Sequence, residues 1–163
     1  MGPKDDVKEE WDITKSSFKT YRTDNEGILE KCFEFDWELI EPKLEYLIKK
    51  PGDREQVKQY LKANYKMLRD AYKLTAGQDS QGNTMSIGKI SFGQLMQQCG
   101  DLVDNKTLKI TDLDIAYIQV KAADAKKQNK LVPADQLVRH NFLEIMIRIA
   151  DQKFIKSGLF HSY

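Results

Sequence analysis

The sequence predicts an all-α fold built from two helix–loop–helix units, on three observations. Apolar residues recur at spacings of three and four over residues 54–75 and again over 139–156. Polar stretches rich in glycine or lysine, 77–86 and 124–130, separate the helical runs. No stretch alternates apolar and polar residues long enough to read as a strand.

Size and composition set the frame. A chain of 163 residues is one domain with room for an N-terminal extension. With 40% hydrophobic and 31% charged residues it suits a globule rather than a disordered chain. Acidic and basic residues nearly cancel, 25 against 26, so charge points to neither a nucleic-acid nor a membrane-surface partner. No apolar run approaches the ~20 residues of a membrane span. The start, M-G-P-K-D-D-V-K-E-E, is polar and does not read as a secretion signal. Cys32 and Cys99 lie far apart without metal spacing and are expected to be reduced thiols in a cytoplasmic protein.

Taken in order, residues 1–27 read as a polar arm with at most one short helix. In the following C-F-E-F-D-W stretch, Phe33, Phe35 and Trp37 alternate, so an extended backbone would place all three on one side. Pro42 suits a first helical position, with Leu44, Leu47 and Ile48 on one face after it. Pro51-Gly52-Asp53 closes that segment, which makes residues 1–53 an extension, 54–157 the paired units and 158–163 a tail. One helix is expected over 54–75, carrying Val57, Tyr60, Leu61, Asn64, Leu68, Ala71 and Tyr72, and Gly77 ends it. The next starts at Ser91, where Ser91 and Gln94 form an S-x-x-Q capping box, and stops at Gly100. Thr111 caps the third, with Ile110 and Ile115 placed as a hydrophobic staple. The last, 139–156, is apolar on most sides and therefore central.

The loop N-T-M-S-I-G-K-I-S-F-G-Q-L, residues 83–95, has the punctuation of a calcium loop. Such loops run twelve residues, with oxygen ligands at places one, three, five, seven and nine, glycine at six and a bidentate glutamate at twelve. With Gly88 at the sixth place, Ile90 falls at the eighth, Ser91 at the ninth, Gln94 at the twelfth and Leu95 just after. On that frame the chain resembles the EF-hand superfamily over about residues 55–157. The resemblance implies that the apolar eighth residues of two loops pair as a short strand. The oxygen ligands that such a loop uses are missing from the residues here. Places one, three and five are Asn83, Met85 and Ile87, and a hard dication does not exchange its water for a thioether and a butyl group. The second loop allows two registers. One puts Leu137 at the eighth place and Asn141 at the twelfth; the other starts at Asp124 with Leu131 at the eighth. The Leu137 register is preferred because R-H-N-F-L-E-I-M then opens the exit helix. Neither register is expected to bind calcium, and no metal or other cofactor is expected. The stretch A-D-Q-L-V-R-H-N-F-L-E-I-M-I-R-I-A-D-Q-K-F is also similar to degenerate EF-hand-like proteins of ciliated and flagellated protists, which implies a cytoskeletal or axonemal setting.

Other chemistry is sparse. His140 opens a helix without an evident partner, and His161 lies in S-G-L-F-H-S-Y, expected to fray. No nucleophile elbow, phosphate-cradling glycine loop or H-E-x-x-H occurs, so no enzyme is expected. Lys58, Lys62 and Lys66 form an i, i+4 stripe, read either as a solvated face or as a contact for an acidic partner. Phe33, Phe35 and Trp37 either cover the helical core or anchor a partner; Met146 and Ile149 pose the same choice on the last helix. The expectation is a calcium-independent interaction or scaffold module with protein partners, and no nucleic acid or membrane. A calcium sensor and the regulatory subunit of a larger enzyme are the alternatives.

Overall fold

The computed structural model describes residues 12–17, 19, 25–79, 85–124 and 133–163. A 3-10 turn at Ile13–Lys15 precedes six α-helices in the described residues, and a π-helical turn, Asp151–Lys156, follows the sixth. No helix among them is long and apolar enough to cross a membrane.

Helix α1 spans Glu26–Leu44, where two short or extended pieces were expected. Asn25 caps it, its side-chain oxygen accepting the Ile28 N–H at 2.9 Å. Phe33, Trp37, Ile40 and Leu44 recur at four, three and four and share one buried face. This corrects the extended reading of the aromatic stretch: Phe33 and Trp37 stack on one side, while Phe35 turns outward and stays 59% exposed. Pro42 is corrected as well, for it lies inside the last turn of α1. An interior proline costs about 3 kcal/mol. Burying Ile40 and Leu44 on either side of it, about 1.5–3 kcal/mol each, offsets that cost.

Pro51-Gly52-Asp53, read as a terminator, is instead the first turn of α2, Pro51–Ala63. Proline at the first position loses no hydrogen bond, and Asp53 complements the positive helix end. The single helix expected over 54–75 is two, because the backbone breaks at Asn64 (φ −105°, ψ 9°) before α3, Tyr65–Gly77. The Asn64 side-chain amide donates to the Tyr60 carbonyl at 2.8 Å, beside the Asn64 N–H that reaches the same carbonyl at 3.2 Å. Gly77 closes α3 as expected.

Helices α4, Lys89–Gln98, and α6, Arg139–Ala150, each begin two residues after a single antiparallel bridge between Ile87 and Leu137. Both backbone hydrogen bonds of that bridge measure 2.8 Å. The bridge joins Leu137 to Ile87, not to the Ile90 expected to pair with it. Ile87 pairs, and Ile90 is 73% exposed on α4. Ser91 and Gln94 form no capping box, since α4 already starts at Lys89 with Gly88 as its cap. Helix α5, Ile110–Asp124, likewise begins before the expected cap: Asp112 reaches back to accept the Lys109 N–H at 2.8 Å. Ile110 and Ile115 both stay about half exposed, so they make no staple. Gly100 follows α4 at φ +54°, the left-handed conformation that glycine adopts without strain.

Two apolar clusters hold these helices together. The first gathers Tyr72, Ile87, Phe92, Met96, Leu113, Tyr117, Leu137, Phe142, Ile145 and Ile149 from α3 to α6. The second gathers Phe33, Trp37, Ile40, Leu44 and Ile48 with Leu61, Tyr65, Leu143 and Ile147. Helix α6 contributes to both, so the expectation that it is central holds.

Candidate partner-binding groove

A cavity of about 690 Å³ lies between the α2–α3 pair and the α6–π segment. One wall carries Val57, Tyr60, Leu61, Asn64, Met67 and Leu68, residues that return to one side at three- and four-residue spacings. The opposite wall carries Met146, Ile147, Ala150, Asp151, Phe154 and Ile155. Phe160, Ser162 and Tyr163 complete it. Tyr60 and Met67 remain mostly exposed, so the wall of α2–α3 has an open apolar rim. From Val57 to Leu68 this wall runs over the last two turns of α2 and the first turn of α3.

Two of the polar residues in the groove, Asp151 and Asn64, are anchored. Asp151 is buried; it accepts the Tyr163 hydroxyl, and Lys156 Nζ stands 3.2 Å from its other oxygen. Burial, together with that hydrogen bond, pushes the Tyr163 phenol up from its ordinary value. Asn64 spends its amide on the α2 backbone.

The buried charges behind the groove are paired too. Asp36, 1% exposed, takes a two-pronged contact from Arg139 at 2.6 and 3.0 Å and the Tyr65 hydroxyl at 2.7 Å. Glu144 is fully buried between Lys43 at 3.2 Å and Arg148 at 3.0 Å. Both clusters tie α1 to α6, because a buried carboxylate is tolerated only when its oxygens are matched by cations and donors. The lysine stripe is also engaged. Lys58 reaches Glu34 at 2.8 Å, Lys62 reaches Glu30 and Glu34, and Lys66 pairs with Asp70 at 2.6 Å. Lys58 also stands over the Trp37 ring at 5.9 Å.

The residues picked from the sequence disperse. Phe33 and Trp37 are core, leaving only Phe35 of that trio at the surface, and Phe35 does not line the groove. Met146 lines it; Ile149 points into the first cluster instead. Gly88 caps α4, with its N–H donating to Asp79 Oδ2 at 2.7 Å. Its φ of −73° is ordinary, so a strained turn is not what calls for glycine. A Cβ there would sit 3.1 Å from that carboxylate oxygen, so the glycine serves close approach. Ser91 lies within the first turn of α4, and Gln94 is exposed. Asn83 and the lysine-rich loop 125–130 lie outside the described residues. Among the described residues no three of His, Cys, Asp and Glu gather into a group that could hold a metal.

Reading the sequence missed Tyr60, Met67, Phe154, Ile155 and the 158–163 segment as site residues. The available signal was Tyr60, Met67 and Leu74, which recur at seven on α2–α3 and stay exposed. Comparison with known protein families, with curated proteins and with solved structures finds no match for this chain.

Proposed function

We propose that the protein is a non-enzymatic interaction module of degenerate EF-hand type that receives an amphipathic segment of a protein partner in the α2–α3/α6 groove. The groove carries this reading: it is apolar, three turns long on one wall, and rimmed by methionine and aromatic side chains that adapt to a helical ligand. The Ile87–Leu137 bridge supports a pairing of two loops through apolar residues, as in such a unit, though in that register Met85 rather than a glycine takes the sixth place. Phe92 and Phe142 then follow at equal distances from the bridge, and both are buried.

In the register set by that bridge, the ninth places are Gly88 and Val138 and the twelfth are Ser91 and Asn141. None is a carboxylate. The Asn141 side-chain oxygen already accepts the Val138 N–H at 3.1 Å. This donor set supports calcium independence. The paired state of the Asp36 and Glu144 clusters supports a structural rather than a catalytic role for them. A cytoskeletal or ciliary setting rests on the resemblance of the C-terminal stretch alone.

Proximity labelling in the native cell tests the reading, with wild type compared against Met67→Glu and Met146→Glu. A defined set of partners lost in both folded variants is the expected result. An unchanged set sinks the groove, and a saturable heat with millimolar calcium sinks calcium independence.

A further inference from the structure

Three residues of the segment Gly158–Tyr163, namely Phe160, Ser162 and Tyr163, line the groove. Ser157 donates its hydroxyl to the Lys153 carbonyl, and Gly158, at φ +80°, turns the chain back. The Phe160 N–H then donates to the Phe154 carbonyl at 2.7 Å, and the two rings meet edge to face at 5.7 Å. Tyr163 packs against the cluster shared by α1, α2, α3 and α6 and donates its hydroxyl to the buried Asp151. Phe160 and Tyr163 line the same cavity as Met67 and Met146.

We propose that residues 158–163 are an intrachain strap that occupies part of the groove, so that entry of a partner requires its release. The inference rests on reading the groove as the docking site. The chemistry of the strap matches what the groove would receive: an aromatic ring against apolar walls, with one hydroxyl directed to Asp151. Its hold is uneven. Tyr163 is partly buried and hydrogen-bonded, whereas Leu159 and Phe160 are each more than half exposed. A strap held mainly at one ring competes with a ligand without excluding it, and apparent affinity falls by the fraction of molecules in which the strap is closed.

The test uses the full chain and the apolar dye anilinonaphthalene sulfonate. Tyr163→Ala removes the anchor. Gly158→Val keeps every aromatic residue but places a β-branched residue at a positive φ. Both variants are expected to bind dye roughly threefold or more tightly than wild type, with far-UV circular dichroism unchanged. Adding Met146→Glu to either is expected to abolish the gain. If both variants bind dye as wild type does while Met146→Glu alone weakens it, the strap is refuted and the groove survives. If dye binding never depends on Met146, both readings fall. Amide exchange gives a second readout: protection of the Phe160 N–H in wild type and its loss in Gly158→Val are expected, and equal exchange in the two refutes the strap.

Discussion

Helices α4 and α6 occupy equivalent places after the Ile87–Leu137 bridge, yet one is peripheral and the other central. Their inward faces match: Phe92 corresponds to Phe142 and Met96 to Met146, with both phenylalanines in the first cluster. Their outward faces do not. Gly93, Gln94 and Gln97 on α4 correspond to Leu143, Glu144 and Ile147 on α6. Gln94 and Gln97 are exposed, whereas Leu143, Glu144 and Ile147 are buried. The difference is α1, which packs on α6 and covers that face with Phe33, Trp37, Ile40 and Leu44. The lesson is that a helix packed on one side needs only one apolar face. A second apolar face announces a further partner, here supplied by the chain itself.

The comparison can be broken most sharply at Leu143. Leu143→Ala is expected to cost about 2–5 kcal/mol in a denaturant titration, since it opens a cavity where α1 meets α6. A loss under about 1 kcal/mol would mean that α1 does not seal that face. Next comes the buried pair that fixes the angle of α1. Asp36→Ala is expected to cost about 3 kcal/mol, because it strands Tyr65 and Arg139 together; Arg139 keeps a third of its side chain in water, which holds the loss to the lower end.

At the caps the effect is smaller. Gly88→Ala is expected to cost about 1 kcal/mol by crowding Asp79, whereas Val138, the equivalent cap of α6, already carries a larger side chain. The same change in an Asp79→Ala background should cost much less, and an equal cost would show that space beside Asp79 is not the reason for glycine. Smallest of all, and opposite in sign, Gly93→Ala is expected to stabilise by about 0.5–1 kcal/mol. Its Cβ meets open space in a helix interior, where alanine is the better former. Destabilisation there would mean that α4 has a covered outer face after all.

Much of the helical order was legible in the residues. Gly77 and Gly100 as stops, the start of α6 just after Leu137, and the apolar all-round character of α6 were all read correctly. These are local signals, carried by spacing and by the conformational freedom of single residues. In the first loop Ile87 and Ile90 are both apolar and three residues apart, so the sequence offers either of them for pairing with the second loop. Only the partner across the bridge chooses between them. The aromatic stretch misled for a related reason: Phe33, Phe35 and Trp37 satisfy a period of two, while Phe33, Trp37, Ile40 and Leu44 satisfy the helical one. The longer pattern prevailed because it buries more.

By itself, then, the chain of residues determined an all-helical protein, most of its breaks, and a final helix with more apolar surface than one neighbour can cover. The tertiary structure alone decided that α1 covers the surplus, that Ile87 rather than Ile90 meets Leu137, and that α2–α3, α6 and segment 158–163 enclose a groove. Periodicity and turn preference act between neighbours along the chain. Burial, pairing and shape depend on which distant surfaces meet, and those are settled only when the whole molecule packs.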